Sequence, residues 1–213
     1  MEAYNIIKSG SSGNCEIYFK SIAVDMGIPF LLIKPFINDL QIVLCSHSHQ
    51  DHFNVSTLKK IAFERPSLRF AIGEHMLESL QGFRNVDVCK IGTWYNYGLF
   101  KISCIKLYHD IPNIGWRIFV RQQNGEYYKI IRVSDTCHLN GIEAKNYDLY
   151  CIEHSYDEDT IQDKIKHKEY FGEYAYEKAA INSHLSEQQA RDFIFKNAGE
   201  NYEVLRLHET SLI

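Results

Sequence analysis

The sequence contains no CxxC pair, only four prolines and no glycine- or serine-rich linker. Without CxxC, a zinc-thiolate site loses its usual sequence signature. With no linker, no repeat and no low-complexity tract, the 213 residues are expected to form one domain over residues 1–213. Long apolar runs are missing too. None approaches the ~20 residues that cross a bilayer, so no membrane partner is expected. The start, Met1-Glu2-Ala3-Tyr4-Asn5, lacks the basic and then apolar pattern of a signal peptide.

An excess of positive charge is also absent. Lys and Arg number 23 against 27 Asp and Glu, a net charge of −4 with His neutral. A duplex-binding module is normally strongly basic, so any contact with nucleic acid has to come from a local patch. Lys59-Lys60 with Arg65 and Arg69 is one candidate, and Lys164-Ile165-Lys166-His167-Lys168 is the other. Each also reads as ordinary solvated charge. Six cysteines are present, at positions 15, 45, 89, 104, 137 and 151. Several sit in apolar runs, as in Ile102-Ser103-Cys104-Ile105, and read as reduced, buried thiols of a cytoplasmic protein.

The most informative segment is Ser46-His47-Ser48-His49-Gln50-Asp51-His52, which follows the apolar run Ile42-Val43-Leu44-Cys45. It reads as a strand delivering His and Asp to a loop at a sheet edge. Imidazole nitrogen and carboxylate oxygen suit Zn, Mn or Fe. On an extended backbone His47 and His49 point the same way, whereas Asp51 and His52 follow a bend and can face a second ion. Further ligands are expected at strand ends: His109 after Leu99–Tyr108, Asp135 after Ile130–Ser134, and His208 after Val204–Leu207. His184, just ahead of a helix, is the alternative to His208 as the late ligand.

Around these residues the chain reads as strands over 4–8, 16–19, 22–25, 41–46, 68–72, 86–91, 99–108, 116–122, 127–134, 149–153 and 204–207. Helices are expected over 55–64, 74–80, 159–168, 174–181 and 186–197. Residues 30–40, interrupted by Pro35, are ambiguous. Ser186 with Gln189 has capping-box spacing, and Asn124-Gly125 is a hairpin turn. The small polar turn Ser9-Gly10-Ser11-Ser12-Gly13-Asn14 is either a plain turn or a backbone segment close to a substrate.

The ordered set HxHxDH, a later His, Ser134-Asp135-Thr136 and a late His after a strand resembles the metallo-β-lactamase fold superfamily over nearly the whole chain. Within it, the sequence looks most like small YycJ-type hydrolases. They share a Ser-Gly-Ser-x-Gly-Asn turn (Ser9 to Asn14), an Asp-Gly pair after an early strand, where this chain has Asp25-Met26-Gly27, a His-Asp motif (His109-Asp110), a Glu on the strand after the metal Asp (Glu153) and a Gly-His-Leu-Ser motif, here with Ser183 ahead of His184-Leu185-Ser186. Glu209-Thr210 stands where the family usually has Leu-Ser.

The resemblance implies a mixed α/β (α+β) fold, a four-layer αββα sandwich of the metallo-β-lactamase type. It implies two divalent metal ions, Zn2+ or Mn2+, at one edge between the sheets. His47, His49 and His109 should hold one ion and Asp51, His52 and His208 the other. Asp135 should bridge them, with a shared hydroxide as nucleophile. The implied catalytic residues are Asp51, Asp135 and His184, the last as general acid or phosphate contact. The implied activity is a phosphodiesterase on nucleic acid, with a cyclic mononucleotide, or a thioester or lactone, as alternative substrate. Asp25 reads either as an orienter of a ligand imidazole or as a turn acid. His75 and His167 read as surface residues, and His138 and His154 as groups that orient ligands. The stretch 156–181 is a candidate lid or homodimer contact.

Overall fold

A computed structural model describes residues 3–208; Glu209-Thr210 lies outside them. Two compact units divide the chain, Met1–Thr93 and Trp94–Ile213.

The first unit carries a six-stranded sheet in sequence order. Its strands are β1 (Tyr4–Lys8), β2 (Cys15–Tyr18), β3 (Ile22–Val24), β4 (Ile42–Leu44), β5 (Arg69–Gly73) and β6 (Val86–Cys89). β1, β2 and β3 pair antiparallel, and β3 to β6 run parallel. Parallel neighbours end at the same edge, so the residues after β3 and β4 emerge together: Val24 pairs with Leu44, which places Asp25 beside Cys45-Ser46. Ligand-bearing loops at the carboxyl ends of parallel strands follow the general rule for such sheets.

Helix α1 (Phe30–Ile33) resolves the ambiguous stretch as one short turn of helix. Helix α2 (Val55–Glu64) crosses between β4 and β5; Asn54 caps it by accepting from Thr57 N–H, and it buries Thr57, Leu58 and Ile61. Spacing of i, i+1 and i+4 puts these on one face. Truncating Ile61 to Ala would cost about 2–5 kcal/mol. Residues Glu74–Leu80 form a 3-10 helix.

The second unit carries a sheet ordered β12-β11-β10-β9-β8-β7. Its members are β7 (Trp94–Asn96), β8 (Phe100–Tyr108), β9 (Pro112–Arg121), β10 (Tyr127–Val133), β11 (Leu149–Glu153) and β12 (Glu203–Leu207). β7 to β10 are antiparallel, and β10, β11 and β12 are parallel. β8 therefore points the same way as β10, and the ends of β8, β10, β11 and β12 share an edge. His109, Asp135, Glu153-His154 and His208 sit at those ends.

β4 and β6 are shorter than the expected 41–46 and 86–91, and two strands depart further from the sequence reading. β7 is three residues long, too short to leave a period-two pattern, and β9 begins at Pro112, four residues ahead of the expected Trp116. Proline is tolerated there because a first strand residue need not donate to the ladder.

The crossover from β11 to β12 holds α3 (Glu158–Tyr170), α4 (Glu177–Ser183) and α5 (Glu187–Asn197). The capping box at Ser186 and Gln189 is present. α5 buries Ala190, Phe193, Ile194 and Asn197, the i, i+3, i+4, i+7 stripe of an amphipathic helix, against Ile131, Val133, Tyr150 and Ile152 of the sheet. Burying Phe193 and Ile194 contributes roughly 1.5–3 kcal/mol each. Among the described residues no helix is long and apolar enough to cross a membrane.

Candidate metal centre

In the first unit, donors gather around Asp25. This residue adopts φ +56°, a left-handed conformation that costs a non-glycine residue energy and that clusters at functional sites. Its carboxylate accepts the Ser46 backbone N–H at 2.8 Å and the Ser46 hydroxyl at 2.9 Å. It also lies 2.7 Å from His52 Nδ1. Asp25, Ser46, His47 and His52 are all buried.

These contacts fix both ring tautomers. A carboxylate only accepts, so His52 Nδ1 carries the proton and Nε2 keeps its lone pair. The contact of Asn14 Nδ2 with His52 Nε2, 2.9 Å, agrees, since an amide nitrogen only donates. The one proton of the Ser46 hydroxyl goes to Asp25, so toward His47 Nδ1, 3.0 Å away, it accepts. His47 is therefore also protonated on Nδ1. Two imidazoles are thus set with Nε2 as the electron donor, the arrangement in which carboxylates prepare histidines for metals. The His47 ring centroid lies 4.9 Å from that of His49 and 4.3 Å from that of His52.

The turn Ser9 to Asn14 braces this loop. Asn14 N–H donates to the Asp51 carbonyl at 2.7 Å, and its side-chain amide lies 3.2 Å from that carbonyl and 3.4 Å from Asp51 Oδ2. Gly27 packs so tightly on the loop that a Cβ there would overlap the Asp51 carbonyl. Gly13, at φ +140°, would put a Cβ 2.6 Å from the Gly27 carbonyl oxygen.

In the second unit, Asp135 and His208 also adopt left-handed backbone, φ +56° and +51°. Asn113 Nδ2 donates to the Asp135 and Ser134 carbonyls at 2.6 and 3.0 Å, holding that turn. The two Asp135 oxygens face different imidazoles: Oδ2 lies 3.8 Å from His109 Nε2, and Oδ1 lies 3.9 Å from His208 Nε2. His109 Nδ1 donates to the Ser183 carbonyl at 2.8 Å, so its Nε2 holds the lone pair. That nitrogen nevertheless lies 3.0 Å from Asp110 Oδ1.

Glu153, fully buried, organises the other side. It accepts the Thr136 N–H at 3.1 Å, the Ser155 hydroxyl at 2.5 Å and His184 Nδ1 at 2.5 Å. The Ser155 hydroxyl lies 3.2 Å from His208 Nδ1. With its proton on Glu153 it accepts from that nitrogen, repeating the Asp25–Ser46–His47 relay as Glu153–Ser155–His208. Asp135, Glu153, His184 and His208 offer donor atoms within 4.8 Å of one another. Burial is the largest influence on His184 and lowers its pKa, but the hydrogen bond and charge of Glu153, with Asp135 and Asp110, carry it above the ordinary histidine value.

The remaining histidines play other parts. His138 lies against Tyr108, centroids 4.3 Å apart. His154 donates from Nδ1 to the Ile152 carbonyl at 2.9 Å. His75 and His167 are exposed or nearly so, although His75 Nε2 reaches the Ser46 carbonyl at 3.2 Å. Asn113 and Ser155 were not marked by the sequence, because an isolated Asn or Ser carries no pattern.

His/Asp donors raised at the carboxyl ends of strands in two six-stranded sheets define a protein of the metallo-β-lactamase fold. No protein-family model matches the sequence, and no curated protein does. Among solved structures, the metallo-β-lactamase fold protein YhfI from Bacillus subtilis matches with TM-score 0.68 at 17% identity, covering 97% of this chain and 85% of that one. The short form of human tRNase Z matches with TM-score 0.66 at 14% identity, covering 97% and 92%. A diphosphatase of the PhnP family matches with TM-score 0.60 at 10% identity, covering 97% and 86%. Identities this low establish the fold.

Proposed function

We propose that this chain is a dinuclear-metal-dependent hydrolase, a phosphodiesterase acting on nucleic acid in a 5′-exonuclease-like manner. The observation that carries the reading is Asp135, whose two oxygens face two different imidazoles, as a carboxylate shared by two ions requires. In this reading His47, His49, His109 and Asp135 would hold one ion, and Asp51, His52, Asp135 and His208 would hold the other. The donor chemistry fits: in His47, His52, His109 and His208 a neighbour occupies Nδ1, so Nε2 is the atom that would meet an ion, in place of its contact with Asn14 at His52 and with Asp110 at His109.

Nitrogen and oxygen donors suit Zn2+ or Mn2+. A pair of such ions supplies Lewis acidity and an activated water for in-line displacement. The chain's own residues do the rest. Asp25 and Glu153 orient ligand rings through buried hydrogen bonds. His184 donates its Nδ1 proton to Glu153; in the doubly protonated form that its raised pKa favours, Nε2 would carry the proton given to a phosphate oxygen or leaving group, as a general acid does. Phosphate esters are favoured over carboxyl substrates because two fold neighbours are named for such chemistry, a tRNase and a diphosphatase. A cytoplasmic setting belongs to the same proposal and suits six free thiols.

The test is turnover of the purified chain with Mn2+ or Zn2+ on end-labelled DNA and RNA, cyclic mononucleotides, bis(p-nitrophenyl) phosphate, and a thioester and a lactone. Release of nucleotides from strand ends is expected. Turnover of the thioester or lactone with no phosphodiester cleaved overturns the reading, and cleavage of cyclic mononucleotides alone replaces the substrate.

A further inference from the structure

The cationic run at Lys59-Lys60, Arg65 and Arg69 takes no part in either donor set, and the structure divides it. Arg69 is held by Asp87, with Nε and Nη2 2.8 and 2.5 Å from its carboxylate oxygens. Lys59 and Arg65 instead line a cavity of about 430 Å3 together with Arg84, Phe63, Phe70 and Phe83. Its walls come from the later turns of α2, the Pro66 turn and the turn ahead of β6, all within the first unit. α2 rises about 1.5 Å per residue, so Phe63 stands roughly 14 Å along the helix from Asn54. The cavity opens at the amino ends of β5 and β6, and the metal donors of this unit follow the carboxyl end of β4.

Charge and shape point to one kind of ligand. No Asp or Glu lines the cavity. Among the described residues no carboxylate pairs with Lys59, Arg65 or Arg84, and Glu64 turns to Lys34 at 3.7 Å. Arg65 is pinned: Nη1 donates to the Ile37 and Asn38 carbonyls at 2.5 and 2.6 Å, and Nη2 to that of Leu40 at 3.3 Å. Neutral carbonyls fix a guanidinium without cancelling its charge. Three uncompensated cations on a chain of net charge −4 make a local attractor for an anion. Beside them Phe63 is 86% exposed, which leaves the gain from burying an aromatic ring unmade. Phe83 is half-buried and braced edge-on by Phe70, centroids 5.2 Å apart. An exposed ring next to free cations suits a flat aromatic group joined to a phosphate, and the volume falls in the range of small-molecule sites.

We infer that this cavity binds a nucleoside phosphate unit, with the phosphate between Lys59 and Arg84 beside the fixed charge of Arg65 and the base against Phe63 and Phe83. The same chemistry serves a free nucleotide and the terminal nucleotide of a strand. The site stands independently of the hydrolytic reading.

The test is calorimetric titration of the full chain in EDTA, which keeps divalent ions out of the donor sets. The probes are adenosine monophosphate, adenosine, inorganic phosphate, a 5′-phosphorylated single-stranded oligonucleotide and an oligoglutamate peptide. Adenosine monophosphate should bind at least about tenfold more tightly than adenosine or inorganic phosphate, since base stacking and charge act together. Lys59→Ala with Arg84→Ala should abolish that binding, and Phe63→Ala should reduce it to the level of inorganic phosphate. These three side chains are exposed, and circular dichroism confirms that the variants fold. Oligonucleotide binding as tight as that of the mononucleotide identifies a strand end as the source; mononucleotide binding alone identifies the free nucleotide. Equal affinity for nucleotide and phosphate, unchanged affinity in the double variant, or capture of oligoglutamate without nucleotide overturns the inference. Loss of hydrolysis with retained nucleotide binding counts against the proposed function and leaves this site standing.

Discussion

The Asp25 carboxylate lies 2.7 Å from His52 Nδ1, and neither side chain is exposed. Asp25→Asn keeps the shape and changes the protons. An amide nitrogen turned to His52 donates, so the ring must move its own proton to Nε2, where an ion would bind. Metal content by mass spectrometry should fall, with affinity reduced by about 10- to 100-fold. Unchanged affinity in Asp25→Asn would mean that the pair is only a fold contact.

Asp135→Asn tolerates the left-handed backbone, since Asn visits that region readily, but loses one of two carboxylate oxygens. Bound metal should drop from two ions per chain towards one or none, and turnover by about a thousandfold or more. Two ions retained at full occupancy would remove Asp135 from the bridging role. Asp135→Ala should lose both metal and stability, because alanine is strained at φ +56°.

His184→Gln separates catalysis from metal binding: both ions should stay while turnover falls by about 100-fold. The pH dependence of the ion-free protein adds a second readout. The pKa of His184 is raised despite its burial, through Glu153 first and then Asp135 and Asp110. A raised group stabilises fully below its ordinary value near about 6.5, and that contribution is lost as pH rises through the raised value. In EDTA the melting-temperature advantage of the parent chain over His184→Gln should therefore be largest in mild acid and shrink above neutrality. An advantage that grows with pH contradicts the Glu153 pairing.

Gly27→Ala places a methyl group into the Asp51 carbonyl. Overpacking against backbone cannot be relieved by a rotamer change, so the loss should reach about 3 kcal/mol or more in denaturant unfolding. A fully stable Gly27→Ala chain would show that the loop moves freely.

Five of the six cysteines are buried, and Cys137 is partly exposed. Burial pushes the Cys104 thiol up to about 11, and burial with the Asp25 charge raises Cys45 well above its usual value. Both stay protonated at neutral pH, so only Cys137 should react promptly with a thiol reagent in the native chain. The other five should report unfolding, read by mass spectrometry of labelled peptides.

Much of the fold was legible because its signals are local. β11 and α2 have the expected limits, and the Ser186 cap and the Asn124-Gly125 turn stand where their residue types put them. The donor loop was legible because four potential ligands, three His and one Asp, crowd the end of an apolar strand. The supports were not. Asn14 reaches Asp51 across 37 positions, and Asn113 reaches Asp135 across 22; such pairs exist only once the sheet brings them together. The role of Asp25, open between turn acid and orienter, was decided by one contact with a residue 27 positions away.

The β11-to-β12 crossover has a consequence for how such a chain can change. Glu153 and Leu207 are already paired in register, so the 49 residues between β11 and β12 are a closed loop whose length is weakly penalised, about 0.6 kcal/mol per doubling. The Asp25–Gly27 bend has no such freedom, since a single methyl group does not fit. Evolution, or an engineer, can therefore rebuild α3 and α4 and the exposed rings of Tyr170, Phe171 and Tyr174 with little penalty, provided the carbonyl at 183 returns to His109 and His184 to Glu153. New specificities should accumulate in that segment while the ligand loop stays almost unaltered.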